Sequence, residues 1–451
     1  MKQKNERVAN KMPGAAQSNK RVVRLPELLA STQAYISQNY ASALKDNVDQ
    51  LKSYIIKYLR NTGYIAIGMT IDETADRLYS EMAEYSIITP FLTRSDVEEI
   101  NINGWDDIAI TYTDGRIEKM EEHFFSPTHA MDNIIRLLRH SKMVVDASIP
   151  KAEGHLPNNA RIAAVINPIV DSTRGVSASI RLLHPSRITC DEIVSSGEAT
   201  QEILDFLCLC LRYGVSFVVA GATSSGKTTL LNALLKTLPD FLRIYTIESG
   251  SRELDLIRYD ENGKITNNVV HTLSRPSETE KQNISQEKLL ETALRFDPNV
   301  IVVGEMRDTE AYSAVEASLT GHTVVSTIHA TGAEMAHTRI ALLCQKRYPI
   351  PFDTSLNQAA QAFPLIIYSH HMEDNSRKIL NISECQVVEG RRIYRTLYQY
   401  DIDENKIVDG ATTIEGHFTK VNCPSEYLEQ RLIQFGAPRA LVEKFRGEWH
   451  E

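Results

Sequence analysis

The chain has 451 residues, a formal net charge of −9, 42% apolar and 24% charged content, which fits a soluble globular protein of roughly two to four domains. The acidic balance disfavours a dedicated nucleic-acid binder, whose surface is normally basic, and the longest apolar runs, 204–211 and 215–222, fall far short of the roughly 20 residues of a membrane span. Six scattered cysteines without a C-x-x-C pair point to reduced thiols and away from a zinc knuckle, and the polar N-terminus lacks the apolar segment of a signal peptide.

Residues 1–25 read as a disordered basic tail: Lys2, Lys4, Arg7, Lys11, Lys20, Arg21 and Arg24 face a single acid, Glu6. Such a tail is a solvated leader or a weak contact for an anionic membrane surface. Residues 26–88 turn helical. Leu44, Val48, Leu51, Ile55 and Tyr58 recur at helical spacing, Gly63 ends that helix, and Thr70-Ile71-Asp72-Glu73 has the form of a capping box. Residues 89–184 read as an α+β domain. Strands are expected at 108–112, 161–166 and 176–181, with a turn at Asp114-Gly115 and a helix opening at Ser126-Pro127. His184-Pro185-Ser186 reads as a hinge opening a linker over 185–194.

From 195 to 372 strands and helices alternate as in a doubly wound α/β core. Between a strand at 215–220 and a helix carrying Leu230, Leu231, Leu234 and Leu235 lies Gly221-Ala222-Thr223-Ser224-Ser225-Gly226-Lys227-Thr228-Thr229, which fits G-x-x-x-x-G-K-[ST]. The glycines let backbone N–H groups turn toward phosphate oxygens. Lys227 is placed for the β- and γ-phosphates, and the Thr228 hydroxyl for Mg²⁺. The motif implies binding of a nucleoside triphosphate.

Three more strands end in polar residues. The run 244–248 ends in Glu248, 300–303 is followed by Gly304-Glu305, and 323–328 by His329. Ligands of open parallel sheets bind beyond the carboxyl ends of the strands, so these residues should gather at the phosphate loop. Glu305 suits polarisation of an attacking water or a hold on Mg²⁺, although Gly304 stands where such sites usually carry Asp. His329 could contact phosphate or Glu305, or serve only as a structural residue; His322 after Gly321 is similar. The segment 370–374, His-His-Met-Glu-Asp, matches no metal-ligand spacing and reads as a polar loop. Residues 373–451 hold strand-like runs at 379–388 and 393–400, a turn at Asp409-Gly410 and a closing helix near 425–435, an extension without a catalytic pattern.

Several of these stretches resemble, in order, the motifs of the secretion ATPases of type II and type IV systems, nearest the tight-adherence pilus and conjugation branches. Glu99-Ile100-Asn101-Ile102-Asn103-Gly104 is similar to the entry of that family's N-terminal domain. Asn159-Ala160-Arg161 and Ser179-Ile180-Arg181 resemble its arginine-bearing strands, Glu248 with Glu253 its acidic box, residues 295–308 its atypical Walker B, in which Gly precedes Glu, and residues 320–330 its histidine box. The acidic box departs from the family in lacking Glu-Asp and in its wider spacing, which leaves Glu253 without a settled role. The resemblance implies a RecA-like P-loop NTPase core with an α+β N-terminal domain and a helical N-terminal extension. It further implies ATP and Mg²⁺ as ligands, with Thr228 and Glu305 at the metal. Glu305, Glu248 and His329 are then catalytic, and Arg161 and Arg181 reach the phosphates as arginine fingers from another domain.

The function so implied is ATP hydrolysis by a homo-hexamer that drives assembly of a type IV pilus-like fibre, or secretion or conjugation, through an inner-membrane platform protein. The protein would be cytoplasmic, in peripheral contact with the inner face of the membrane, and would bind no nucleic acid directly. A DNA-acting motor with a RecA-like core and a nucleotide-gated scaffold with negligible turnover are the competing classes.

Overall fold

The computed structural model describes residues 21–40, 48–140, 143–156, 160–182, 188–275, 281–408 and 411–447. The basic tail through residue 20, Leu44, Asn159, the hinge at 184–186 and the turn at 409–410 lie outside them. The chain divides into two compact units, residues 1–182 and 183–451.

The first unit has two hydrophobic cores. Helices Leu25–Asn39, Val48–Thr62 and Ile71–Ala83 pack Leu28, Ile36, Leu51, Ile55, Leu59 and Leu78 together, beside a short parallel pair, β1 (Arg21–Val23) and β2 (Tyr64–Ala66). The capping box forms at the third helix: the Thr70 hydroxyl accepts from the Glu73 N–H while the Glu73 carboxylate accepts from the Thr70 N–H. The second core lies under an antiparallel sheet ordered β5-β4-β3-β8-β7-β6. Its strands are β3 (Val97–Gly104), β4 (Asp107–Tyr112), β5 (Ile117–Lys119), β6 (Lys151–His155), β7 (Arg161–Ile166) and β8 (Val176–Arg181). The helix Pro127–His140 buries Ile134, Leu137 and Leu138 in this core, and alternate strand residues such as Ile100, Ile162 and Ile180 meet it.

The second unit is built on one nine-stranded sheet, ordered β11-β10-β12-β13-β9-β14-β15-β16-β17. β9 (Phe217–Ala220), β10 (Arg243–Glu248), β11 (Asn268–Leu273), β12 (Val300–Val303), β13 (Thr323–Ile328) and β14 (Leu365–His371) are parallel. β15 (Arg377–Val388), β16 (Arg391–Val408) and β17 (Ala411–Lys420) continue it antiparallel. The central strands are apolar throughout because both faces are covered. Phe217, Val219, Val300 and Val302 join one core with helices Gln201–Arg212 and Lys227–Leu235. Val218, Ile301 and Val303 join the other, under helices Glu310–Leu319, Ala333–Arg347 and Phe352–Ala362.

Two readings change. His370 and His371 end β14 and pair with Lys378 and Arg377 of β15, so they stand in a hairpin strand and not in a polar loop. β11 is a strand that periodicity did not reveal. At the sheet's edge it is half exposed and needs no apolar run. Among the described residues no helix is long and apolar enough to cross a membrane.

Candidate functional site

β9 feeds the loop 221–226, which turns into helix Lys227–Leu235 with two left-handed residues, Ser224 at φ 64° and Gly226 at φ 86°. Glycine takes such a φ without the Cβ clash that serine must bear. The first N–H groups of the helix have no partner within it and carry its positive dipole end. Lys227 is only 7% exposed, and its ammonium donates to the Ala222 carbonyl across the loop at 2.6 Å. Burial pushes the Lys227 pKa below its ordinary value, while the carboxylates of Glu305 and Glu253 pull it back up and Arg307 pushes it down. The Ser225 hydroxyl is buried without a hydrogen-bond partner among the described residues.

Because β10, β12, β13 and β9 run parallel, Glu248, Glu305 and His329 emerge at the same edge of the sheet as the loop. The turn after β12 is fixed to β13 by two bonds: the Thr327 hydroxyl donates to the Gly304 carbonyl at 2.7 Å, and the Met306 N–H donates to the Thr327 carbonyl at 3.0 Å. This places Glu305 between two partners. Arg307 donates to its Oε2, and His329 Nε2 lies 3.2 Å from its Oε1. That second approach is out of line for a hydrogen bond, and Oε1 is otherwise unpartnered among the described residues. The His329 pKa is lowered by burial first, then by Lys227, against Glu305. The imidazole is therefore neutral at pH 7, so it meets the carboxylate as a dipole.

Gly304 has a local reason. A Cβ there would lie 3.3 Å from Glu248 Cγ and 3.4 Å from the Ile247 carbonyl. Any side chain at 304 would crowd the Glu248 side chain, which would have to shift by a few tenths of an ångström. Glu248 in turn holds the chain after β10: its Oε1 accepts from the N–H of Glu253 at 2.7 Å and of Leu254 at 3.0 Å. Its Oε2 has no hydrogen-bond partner among the described residues. The bond to Glu253 brings that residue back toward the loop, where its charge acts on Lys227 and Arg307.

The groups present fit a triphosphate with Mg²⁺: a buried ammonium, a Ser225 hydroxyl without a hydrogen bond among the described residues, the helix N-terminus, the Thr228 hydroxyl in its first turn and a Glu305 oxygen that accepts no hydrogen bond among the described residues. Arg307 belongs with this set although sequence reading assigned it no role; its position two residues after Glu305 was the available signal. His322 does not belong. It precedes β13, a strand's length of about 20 Å from His329. Arg161 and Arg181 face each other across the β7–β8 pairing of the first unit, and Arg181 lies 3.4 Å from Glu98.

Glu198 is a group that no motif disclosed. It is 6% exposed, its Oε1 lacks a hydrogen-bond partner among the described residues, and that atom lies 3.3 Å from where a Cβ on Gly226 would stand. Burial lifts its pKa from 4.5 to about 7, against Arg377 and Lys378, which pull it down. A raised carboxyl pKa means that the folded protein holds the proton more tightly than the unfolded chain. The resulting stability is present below pH 4.5 and is lost as pH rises through 7. The whole effect is on the order of 3 kcal/mol. Glu198→Gln removes the titration, so thermal midpoints should show the variant gaining on the wild type between pH 5 and pH 8. A difference that stays constant across that range rejects the assignment.

Residues 81–408 match the family described as type II/IV secretion system protein. An uncharacterized protein of Methanocaldococcus jannaschii is 31% identical over 274 residues, which span 60% of this chain and about half, 47%, of that protein. The type IV secretion system protein PtlH of Bordetella pertussis is 29% identical over 61% of this chain and 85% of its own length. Among solved structures, the Legionella pneumophila ATPase DotB overlays with a TM-score of 0.46 at 19% identity, over 77% of this chain and 84% of that one.

Proposed function

As the chain belongs to the type II/IV secretion system protein family, we propose that it hydrolyses ATP in a Mg²⁺-dependent reaction that drives assembly of a pilus-like fibre, or export, through a membrane platform. The observation that carries the reading is Glu305. Its carboxylate stands at the edge of the sheet where the phosphate loop begins, with Arg307 on one oxygen and His329 beside the other.

Loop N–H groups and the Lys227 ammonium bind the β- and γ-phosphates. Thr228 and Glu305 would hold Mg²⁺, which when bound would neutralise phosphate charge. Glu305 orients the attacking water and accepts its proton as the bond from the γ-phosphorus to the bridging oxygen breaks, giving ADP and phosphate. His329, neutral and 3.2 Å from Glu305, is placed to feel a displacement of that carboxylate. Arg161 and Arg181 supply the cationic charge of arginine fingers. A closed ring of identical subunits, a homo-hexamer, is one arrangement in which one protomer's arginines serve the next protomer's loop. The membrane partner is an inner-membrane platform protein, met from the cytoplasmic face by peripheral contact.

The test is phosphate release by the purified full chain. Turnover is expected with Mg²⁺, loss of at least 90% of it with excess EDTA, and no stimulation by single-stranded DNA. Absence of turnover at millimolar ATP and Mg²⁺ would leave the scaffold class, and a severalfold rise with single-stranded DNA would leave the DNA motor.

A further inference from the structure

The phosphate loop is held from behind by a part of the chain without a nucleotide motif, the β14–β15 hairpin. Three contacts reach three consecutive loop residues. Arg377 Nε donates to the Ser224 carbonyl at 3.1 Å. The Ser369 hydroxyl donates to the Ser225 carbonyl. The Arg377 side chain also lies against Gly226, its Cδ 3.0 Å from where a Cβ would be, with Glu198 Oε1 on the same spot at 3.3 Å.

In a trans peptide the N–H points opposite to the C=O. Fixing the Ser224 carbonyl toward Arg377 therefore turns the Ser225 N–H to the other side of the loop, and fixing the Ser225 carbonyl toward Ser369 does the same for the Gly226 N–H. The Ser225 N–H makes a long hydrogen bond, 3.4 Å, to the Ala222 carbonyl inside the loop, which a phosphate oxygen would share or displace. The residue that sets the first of these peptides, Ser224, is the loop's one non-glycine residue at positive φ, 64°. A serine leaves that conformation readily unless something outside the loop opposes the change, and the Arg377 bond to its carbonyl is such a restraint.

We propose that Arg377 is a positioning residue of the phosphate loop, holding Ser224 in its left-handed conformation so that the N–H groups of Ser225 and Gly226 face the phosphates. The inference rests on the nucleotide-binding reading above. It adds that the β14–β15 hairpin, 153 positions along the chain from Ser224, sets nucleotide affinity. Arg377 is exposed, so its loss leaves no hole in a core.

The test is a double-mutant cycle read by titration of a fluorescent ADP analogue, alongside KM and kcat for ATP. Arg377→Ala is expected to raise Kd and KM about tenfold and leave kcat within twofold. Ser224→Gly removes the conformational penalty, so adding Arg377→Ala to that background should raise Kd less than threefold. Arg377→Gln, which keeps a donor, should fall between. An unchanged Kd in Arg377→Ala, or the same tenfold rise in both backgrounds, overturns the proposal. Binding is measured without turnover, so a wild-type chain that binds nucleotide but releases no phosphate would sink the ATPase reading while this cycle still decides the role of Arg377.

Discussion

Glu305→Gln is expected to lower the steady-state rate of phosphate release by about 10²–10⁴-fold, the range for loss of a positioned acid–base group, while ATP still binds. The amide keeps the size of the carboxylate and can still accept from Arg307, which now donates to Oε2. The turn that carries it is fixed independently, through Thr327 and Met306, so the backbone at 304–306 should not move. What disappears is the negative charge and the ability to take a proton. Nucleotide affinity measured without Mg²⁺ should therefore stay within about threefold, well under the 1.4 kcal/mol of a tenfold change. Arg307 and Lys227 both lose a carboxylate that raises their pKa, which leaves more uncompensated positive charge for phosphate and argues against weaker binding. Turnover within tenfold of the wild type would remove Glu305 from the chemistry and shift attention to Oε2 of Glu248, which lies 3.8 Å from His271 Nδ1 without a hydrogen bond.

The parts of this site that motifs disclose are those set by local geometry. Buried parallel strands need an unbroken apolar run, and 217–220, 300–303 and 323–328 supply it, so the polar residue just beyond each strand could be read as a site candidate. The loop glycines and Lys227 are legible for the same reason. Residues that act from a distance are not. Glu198 and Arg377 reach the loop through folding of distant segments, and neither has a spacing that marks it. Glu253 was obscured by an unusual gap after Glu248; the Glu248 carboxylate closes that gap by accepting from the Glu253 N–H. β11 escaped because an edge strand with one exposed side needs no apolar run. For 370–374 the lack of a metal-ligand spacing says nothing of backbone pairing, and the pairing of β14 with β15 satisfies the backbone of His370 and His371 whatever the side chain.

Lys227→Ala should act on binding first, and its effect should be the larger on affinity. A buried ammonium bonded to two phosphate groups is worth about 3 kcal/mol, or roughly a 100-fold rise in Kd for ATP, and turnover should fall below detection. The fold should tolerate the change. The ammonium already lies in a site that disfavours its charge, since burial lowers its pKa, so removing it relieves a desolvation cost that offsets the lost bond to the Ala222 carbonyl. The sign of the pH dependence follows. A lysine whose folded pKa is depressed binds fewer protons folded than unfolded, so its ionisation lowers stability below that folded pKa and the loss is recovered as pH rises toward 10.5. Bound triphosphate acts in the other direction, holding the proton on Lys227. Wild-type affinity for ATP should therefore decline on the alkaline side, beginning below the pH at which an ordinary lysine titrates, and Lys227→Ala should lose that alkaline limb along with most of the affinity. Calorimetric titration of ATP between pH 7 and pH 10 reads both effects. An alkaline limb that persists unchanged in Lys227→Ala would assign it to another group and take Lys227 out of direct contact with phosphate.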